Sequence, residues 1–248
     1  MKRFLVIKTG RTYDGIRDRH GCFEDWIAAG LGVDRDRVRT VAVFEGGLLP
    51  ARLEGDDTVC GVVITGSPAM VTDRQPWSEA VARWLAYELV ERHAHIPVLG
   101  ICYGHQLIAH AFGGRVDYNP RGREIGTVPL RATEQTAADP LLGDIEFPLL
   151  AHVTHLQSVL ELPPGAVHLA SSALEPHQAY RIGDRIWGVQ FHPEFTADIM
   201  RAYLDVLAER LAGEGLDPEH VRAGVAPAPL ATAVLRRFAA LCEGGMPA

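Results

Sequence analysis

The chain has 248 residues, of which 47% are hydrophobic and 22% charged, and its formal net charge is −7. This is the balance of a folded chain long enough to bury a large core; without a basic block or aromatic–basic interleaving it argues against nucleic acid or an anionic membrane surface as partner. Cys22, Cys60, Cys102 and Cys242 are too dispersed for a disulfide frame, no His-x-x-x-His or Cys-x-x-Cys pair suggests zinc, and no apolar run approaches transmembrane length, so the expectation is a metal-free cytoplasmic protein.

Residues 4–7 read as a first buried strand rather than a signal peptide, since the apolar run stops at Lys8. A Gly- and Asp-containing loop follows, then a helix over 23–29 ending at Gly30. Residues 38–44 and 59–64 read as two further strands, the second running into Thr65-Gly66-Ser67-Pro68. The spacing of Trp77, Ala80, Val81, Trp84, Leu85 and Leu89 predicts an amphipathic helix over 77–92. Residues 96–101 form an apolar strand, and 103–112 have helical spacing that ends at Gly113-Gly114. Strands alternating with helices predict an α/β fold with a mostly parallel sheet and helices on both faces, whose ligands bind beyond the carboxyl ends of the strands.

After Gly114 the pattern changes. Short strands are expected at 115–118, 127–131, 148–152, 167–170, 178–182 and 185–191, as a small mixed or antiparallel extension of the sheet. Residues 196–212 predict an amphipathic helix with Thr196 as its N-cap. Residues 213–229 are rich in Gly, Pro and Ala and read as a linker to a last helix over 230–241, with a frayed end from Gly244. The domain division expected is therefore 1–212 followed by 213–248.

The stretch Gly100-Ile-Cys102-Tyr-Gly104-His-Gln106 places one cysteine on a sharp strand-to-helix turn between two glycines, the pattern of a nucleophile elbow. Glycine lets the backbone bend and a substrate approach, while the helix N-terminus favours a thiolate and offers N–H groups to an oxyanion. A thiol nucleophile needs a base and a group to orient it. His93 and His95 precede the central strand at its far edge, and His110 reads as a solvated or core residue. His105, three residues past Cys102, points from the first helical turn. His192 is the stronger candidate: it ends an apolar strand in His192-Pro193-Glu194, where a carboxylate two residues on supplies the orienting group.

These two motifs together, with Thr65-Gly66-Ser67-Pro68-Ala-Met-Val71-Thr-Asp73, resemble the class I (triad) glutamine amidotransferases over residues 1–212, closest to stand-alone members that resemble the amidotransferase domain of GMP synthase. The resemblance implies a flavodoxin-like sheet. It implies that Cys102 attacks the side-chain amide of glutamine, that His192 moves the proton and Glu194 orients it, and that the N–H groups of Gly66 and Tyr103 hold the oxyanion. Ser67, Gln106, Thr154, His155 and Leu156 would line the substrate. No cofactor is implied.

The sequence departs from the family pattern at identifiable places. Ser67 stands where the family often has a second glycine, and Thr154-His155-Leu156-Gln157 stands where the GMP synthase branch has Ser-His-Gly-Asp. Glu124 reads equally as an amine contact or as a surface carboxylate beside Arg121 and Arg123. No Gly-rich phosphate loop occurs, so released ammonia would pass to a separate synthetase partner. Two alternatives stand beside glutamine hydrolysis: a hydrolase of γ-glutamyl peptides or conjugates, and a partner-dependent regulatory or binding subunit with little activity alone.

Overall fold

The computed structural model describes residues 2–53, 59–92 and 95–244; His93 and the end expected to fray beyond Gly244 lie outside them. In chain order the elements are β1 (Arg3–Lys8), α1 (Asp14–His20), α2 (Phe23–Leu31), β2 (Val38–Ala42), β3 (Val59–Ile64), α3 (Pro76–Ala86), β4 (Val98–Ile101) and α4 (Tyr103–Ala111). The second half contributes β5 (Arg115–Tyr118), β6 (Glu124–Ala132), β7 (Leu149–His155), β8 (Gln157–Glu161), β9 (Val167–Ser171), β10 (Ala179–Ile182), β11 (Ile186–Val189), α5 (Ala197–Gly213), α6 (Pro218–Ala223) and α7 (Pro229–Gly244).

One nine-stranded sheet runs β2-β1-β3-β4-β11-β10-β9-β6-β7. From β2 to β11 neighbouring strands are parallel; from β11 to β7 they are antiparallel. The antiparallel part is thus continuous with the parallel part, joined where the hairpin β10–β11 lays β11 beside β4, with Gly188 opposite Gly100 and Val189 opposite Ile101. The strand that carries His192 therefore ends level with the strand that carries Cys102. Strands β5 and β8 form a separate two-stranded ribbon, and β8 escaped the strand pattern of the sequence.

The central parallel strands β3 and β4 are apolar throughout because both faces are covered. One face packs Leu5, Ile7, Val62 and Ile64 against α3 and α4; the other packs Phe4, Val6, Val63 and Leu99 against α2 and α7. A third cluster joins α1 and α2 to α5 through Ile16, Trp26, Tyr203 and Leu207.

Four expectations are corrected. The loop after β1 contains helix α1. Helix α2 does not stop at Gly30 but at Gly32, which has φ +70°; Gly30 is helical, and its lack of a side chain serves packing, since a Cβ there would collide with Leu235 of α7. The helix expected over 77–92 is α-helical only to Ala86 and closes in a π-helical turn over Tyr87–Glu91. Residues 213–229 are not a bare linker: α6 packs Val221 against Gly126, and Ala226 N–H donates to Thr127 Oγ1 at 3.2 Å. Helix α7 beyond them buries Val234, Leu235 and Phe238 in the main core.

Candidate active site

Cys102 sits between β4 and α4 with φ 50° and ψ −98°, a conformation that costs a non-glycine residue about 1–3 kcal/mol and marks a site whose surroundings hold it there. The two glycines of the motif explain how the turn closes. A Cβ on Gly100 would lie 2.5 Å from the Gly104 carbonyl, and one on Gly104 would strike the Ile64 carbonyl. The Cys102 N–H donates to the Val189 carbonyl at 2.8 Å, tying the elbow to the strand that leads to His192.

His192 is 3% exposed, and its Nδ1 donates to Glu194 Oε1 at 2.7 Å. Its Nε2 is buried without a hydrogen-bond partner among the described residues. Burial alone would lower the His192 imidazole, but the Glu194 carboxylate, and after it the Cys102 sulfur, outweigh burial and hold it well above its ordinary value. Phe195 stacks on the ring at 4.1 Å and fixes its plane. Thr196 caps α5 as expected, its Oγ1 accepting from Ile199 N–H at 3.2 Å, so the turn after Glu194 is anchored on both sides.

Gly66 borders both groups: a Cβ there would be 3.0 Å from His192 Cε1 and 3.8 Å from Cys102 Cβ. The Thr65 carbonyl accepts from Thr9 Oγ1 at 2.9 Å, which in a trans peptide turns the Gly66 N–H the other way. Tyr103 N–H is the first of α4 and one of the helix's intrinsically unpaired donors. Ser67 lines the cavity above Cys102, its hydroxyl donating to the Thr9 carbonyl at 2.9 Å and accepting from Ala69 N–H at 3.2 Å.

The remaining predicted residues, Gln106, Thr154, His155 and Leu156, also line that cavity, but two of them have other partners. Gln106 Nε2 donates to the Gln157 carbonyl and to Gln190 Oε1, both at 2.9 Å. Both ring nitrogens of His155 face acceptors, Glu124 Oε2 at 3.1 Å and the Gln157 carbonyl at 3.0 Å. Thr154 presents its carbonyl to Cys102 Sγ at 3.9 Å. His105 is not at the site: it is fully buried, packs on Tyr180 with ring centroids 4.7 Å apart, and burial pushes it down to about 3. His110 instead meets Glu79 at 3.0 Å and Arg74 at 3.1 Å.

Glu124 is neither of the two things expected of it. It is buried, accepting from His155, from Ser172 Oγ at 2.6 Å and from Gln178 Nε2 at 2.7 Å. Arg123 turns away to Glu214, and Arg121 donates to the Ala173 carbonyl. Gln157, at the aspartate position of the GMP synthase pattern, is also structural: its Oε1 accepts from Val71 N–H at 3.0 Å and its Nε2 donates to Thr72 Oγ1, holding the loop that follows Gly66. What the sequence reading missed is the outer wall, where Arg11, Thr12 and Tyr13 follow β1 and Tyr203, Leu207 and Arg210 come from α5. The signal for the α5 residues was their common helix face, which reads as core when only the apolar members are counted. Among the described residues no three His, Cys, Asp or Glu side chains are grouped to hold a metal ion, and no helix is long and apolar enough to cross a membrane.

The sequence model of the family glutamine amidotransferase class-I matches residues 48–205, which include the elbow and His192-Pro193-Glu194. The chain belongs to that family. It is 35% identical over 147 residues to the glutamine-hydrolyzing GMP synthase of Porphyromonas gingivalis strain ATCC 33277, an alignment covering 59% of this chain and 26% of that protein. The chain thus spans about a quarter of that relative's length. It is 31% identical over 210 residues to gamma-glutamyl peptidase 3 of Arabidopsis thaliana, covering 82% of this chain and 81% of that one. The crystal structure of a glutamine amidotransferase from Methylobacillus flagellatus superposes with a TM-score of 0.76 at 25% identity, covering 100% of this chain and 96% of that one. The resemblance read from the three motifs, and the α/β sheet it implied, are both borne out.

Proposed function

We propose that this class I amidotransferase hydrolyses the side-chain amide of glutamine through a thioester on Cys102. The observation that carries the reading is the pairing of a strained elbow cysteine with a buried histidine whose Nδ1 donates to Glu194 and whose Nε2 has no other partner among the described residues. The Cys102 sulfur attacks the amide carbon, and the oxygen gathers charge between the Gly66 and Tyr103 N–H groups. Collapse breaks the C–N bond, and His192 Nε2 delivers its proton to the departing nitrogen, releasing ammonia. Water then attacks the thioester and gives its proton back to His192; glutamate leaves and the sulfur is restored. Glu194 keeps the imidazole oriented and favours its charged form throughout.

Ammonia formed here goes to a separate synthetase, the activity that the name of the GMP synthase relative points to. The four free thiols fit a reducing compartment such as the cytoplasm. A second reading, hydrolysis of γ-glutamyl peptides or conjugates, is favoured by Leu156 on the cavity wall and by the likeness to gamma-glutamyl peptidase 3 along most of both chains. The test is glutamate release from L-glutamine. Cys102→Ala should lower it by about 10³-fold or more, and substantial residual turnover in that variant would remove Cys102 from its role.

A further inference from the structure

The proton held on His192 goes to the departing nitrogen, so the leaving group sits on the His192 side of Cys102. On that side a run of rings leads outward. Phe195 stacks on His192 at 4.1 Å, Tyr203 stacks on Phe195 at 4.9 Å, and Tyr13 meets Tyr203 edge-on at 5.8 Å. Tyr203, Leu207 and Arg210 follow one another at intervals of four and three residues, which puts them on one face of α5, and all three line the cavity that holds Cys102 and His192. The wall is thus aromatic and apolar next to the base and cationic further out.

The charge is one-sided. Arg11, Arg123 and Arg210 line this cavity, and among the described residues no Asp or Glu does, although Arg11 is paired with Glu45 outside it. Just behind the wall, Glu214 accepts from Arg123 Nε at 2.6 Å, Arg123 Nη2 at 2.9 Å and Arg210 Nε at 3.2 Å. One carboxylate between two guanidiniums leaves that pair with a net positive charge, and it leaves both Nη groups of Arg210 without a partner among the described residues. Guanidinium groups held in this way are suited to grip a second carboxylate. Ammonia, small and without negative charge, uses neither the rings nor the arginines.

We propose that this outer wall is a leaving-group subsite for an apolar or aromatic amine that carries a carboxylate, the amine half of a γ-glutamyl amino acid. The inference rests on the Cys102 chemistry and on the second reading above, and it names the residues that would receive the leaving group. The sulfur bonds to the γ-carbon and the C–N bond breaks. The amine takes the His192 proton and leaves across Tyr203 and Leu207, its carboxylate bound by the Nη groups of Arg210, while the Nε and Nη2 of Arg123 stay on Glu214. Water completes the cycle by cleaving the thioester to glutamate.

The test compares three substrates on the full chain: L-glutamine, γ-glutamylphenylalanine and γ-glutamylphenethylamide. The last two share the scissile amide and the ring and differ only in the carboxylate. The wild-type chain should favour γ-glutamylphenylalanine over the phenethylamide by about tenfold in kcat/KM, the worth of one charge-assisted hydrogen bond. In Arg210→Gln that ratio should fall to near one, with the loss in KM rather than kcat, and Arg210→Lys should restore part of it. The Arg210 side chain is 54% exposed, so the variant should fold, which its thermal transition will report. Turnover of glutamine with neither conjugate cleaved, equal rates on the two conjugates, or a ratio that survives Arg210→Gln each overturns the subsite while leaving the Cys102 chemistry standing. Turnover of none of the three overturns the Cys102 chemistry, and the subsite with it.

Discussion

Gly100 and Gly104 meet backbone to backbone across the elbow: a Cβ on Gly100 would stand 2.5 Å from the Gly104 carbonyl carbon and oxygen, where no side chain can yield. Gly104→Ala would drive its own Cβ into the Ile64 carbonyl, so the first turn of α4 would have to move off the sheet. We expect a loss of at least about 2 kcal/mol, or roughly 4–8 °C in Tm for a chain of this size. Gly213→Ala is the contrast: nothing lies within 4 Å of its Cβ and the residue is helical, so the variant should gain up to about 1 kcal/mol. Thermal melts of the two proteins check both signs.

Glu194→Gln tests the electrostatics of His192 in its proposed role. Burial works to lower His192, and the Glu194 carboxylate is the largest influence that raises it. Without that charge the imidazolium should lose its proton at lower pH, moving the alkaline limb of kcat/KM to lower pH, with kcat falling by about 10²–10³-fold. Stability should follow the same sign. A histidine raised on folding contributes stability that is complete below its ordinary value and fades as pH rises through the raised one, so in the variant the fade should begin at lower pH. Paired pH–rate and pH–Tm curves measure both.

The place of the site was legible where it is written in contiguous residues. Gly100 to Gln106 and His192 to Glu194 are short motifs whose shape follows from local backbone geometry, and the alternation of strands and helices set the sheet that brings their ends together. What was not legible is long-range. Nothing local in Glu124 says that Ser172 and Gln178, roughly fifty residues on, will close over it, so a charged residue between arginines reads as surface. The role of Gln157 depends on the 71–72 backbone, far away in sequence. The strap over 213–229 is composed like a linker because it packs through Val221, Ala226 and Glu214 against β6 and its entry, and not through a stripe of its own.

Phe238 shows how far the C-terminal helix belongs to the sheet. It is fully buried, edge-on to Trp187 of β11 with ring centroids 6.4 Å apart, and β11 leads directly to His192. Phe238→Ala should cost about 3–5 kcal/mol through the cavity it leaves. A urea transition with a lowered midpoint and unchanged slope would show that α7 unfolds together with the sheet. A small separate transition would show that it does not.

Glu124 and His155 hold the strand end that carries Thr154 and Leu156. Burial would raise the Glu124 carboxyl, but the His155 and Ser172 hydrogen bonds outweigh it and keep it below its ordinary value. Such a group contributes stability that is present above the ordinary glutamate value and is lost as pH falls through the lowered one. Glu124→Ala would strand His155, Ser172 and Gln178 without their acceptor, so we expect about 3–5 kcal/mol of destabilisation near neutral pH. Glu124→Gln keeps an oxygen for His155 and Gln178 and an amide for the Ser172 hydroxyl, and should cost less. Because the charge is what acid removes, the difference in Tm between wild type and Glu124→Gln should narrow as pH falls below the carboxylate range. Since His155, Thr154 and Leu156 line the cavity without carrying the proton, Glu124→Gln should raise KM more than it lowers kcat. A kcat loss with KM unchanged would instead place Glu124 in the chemistry itself.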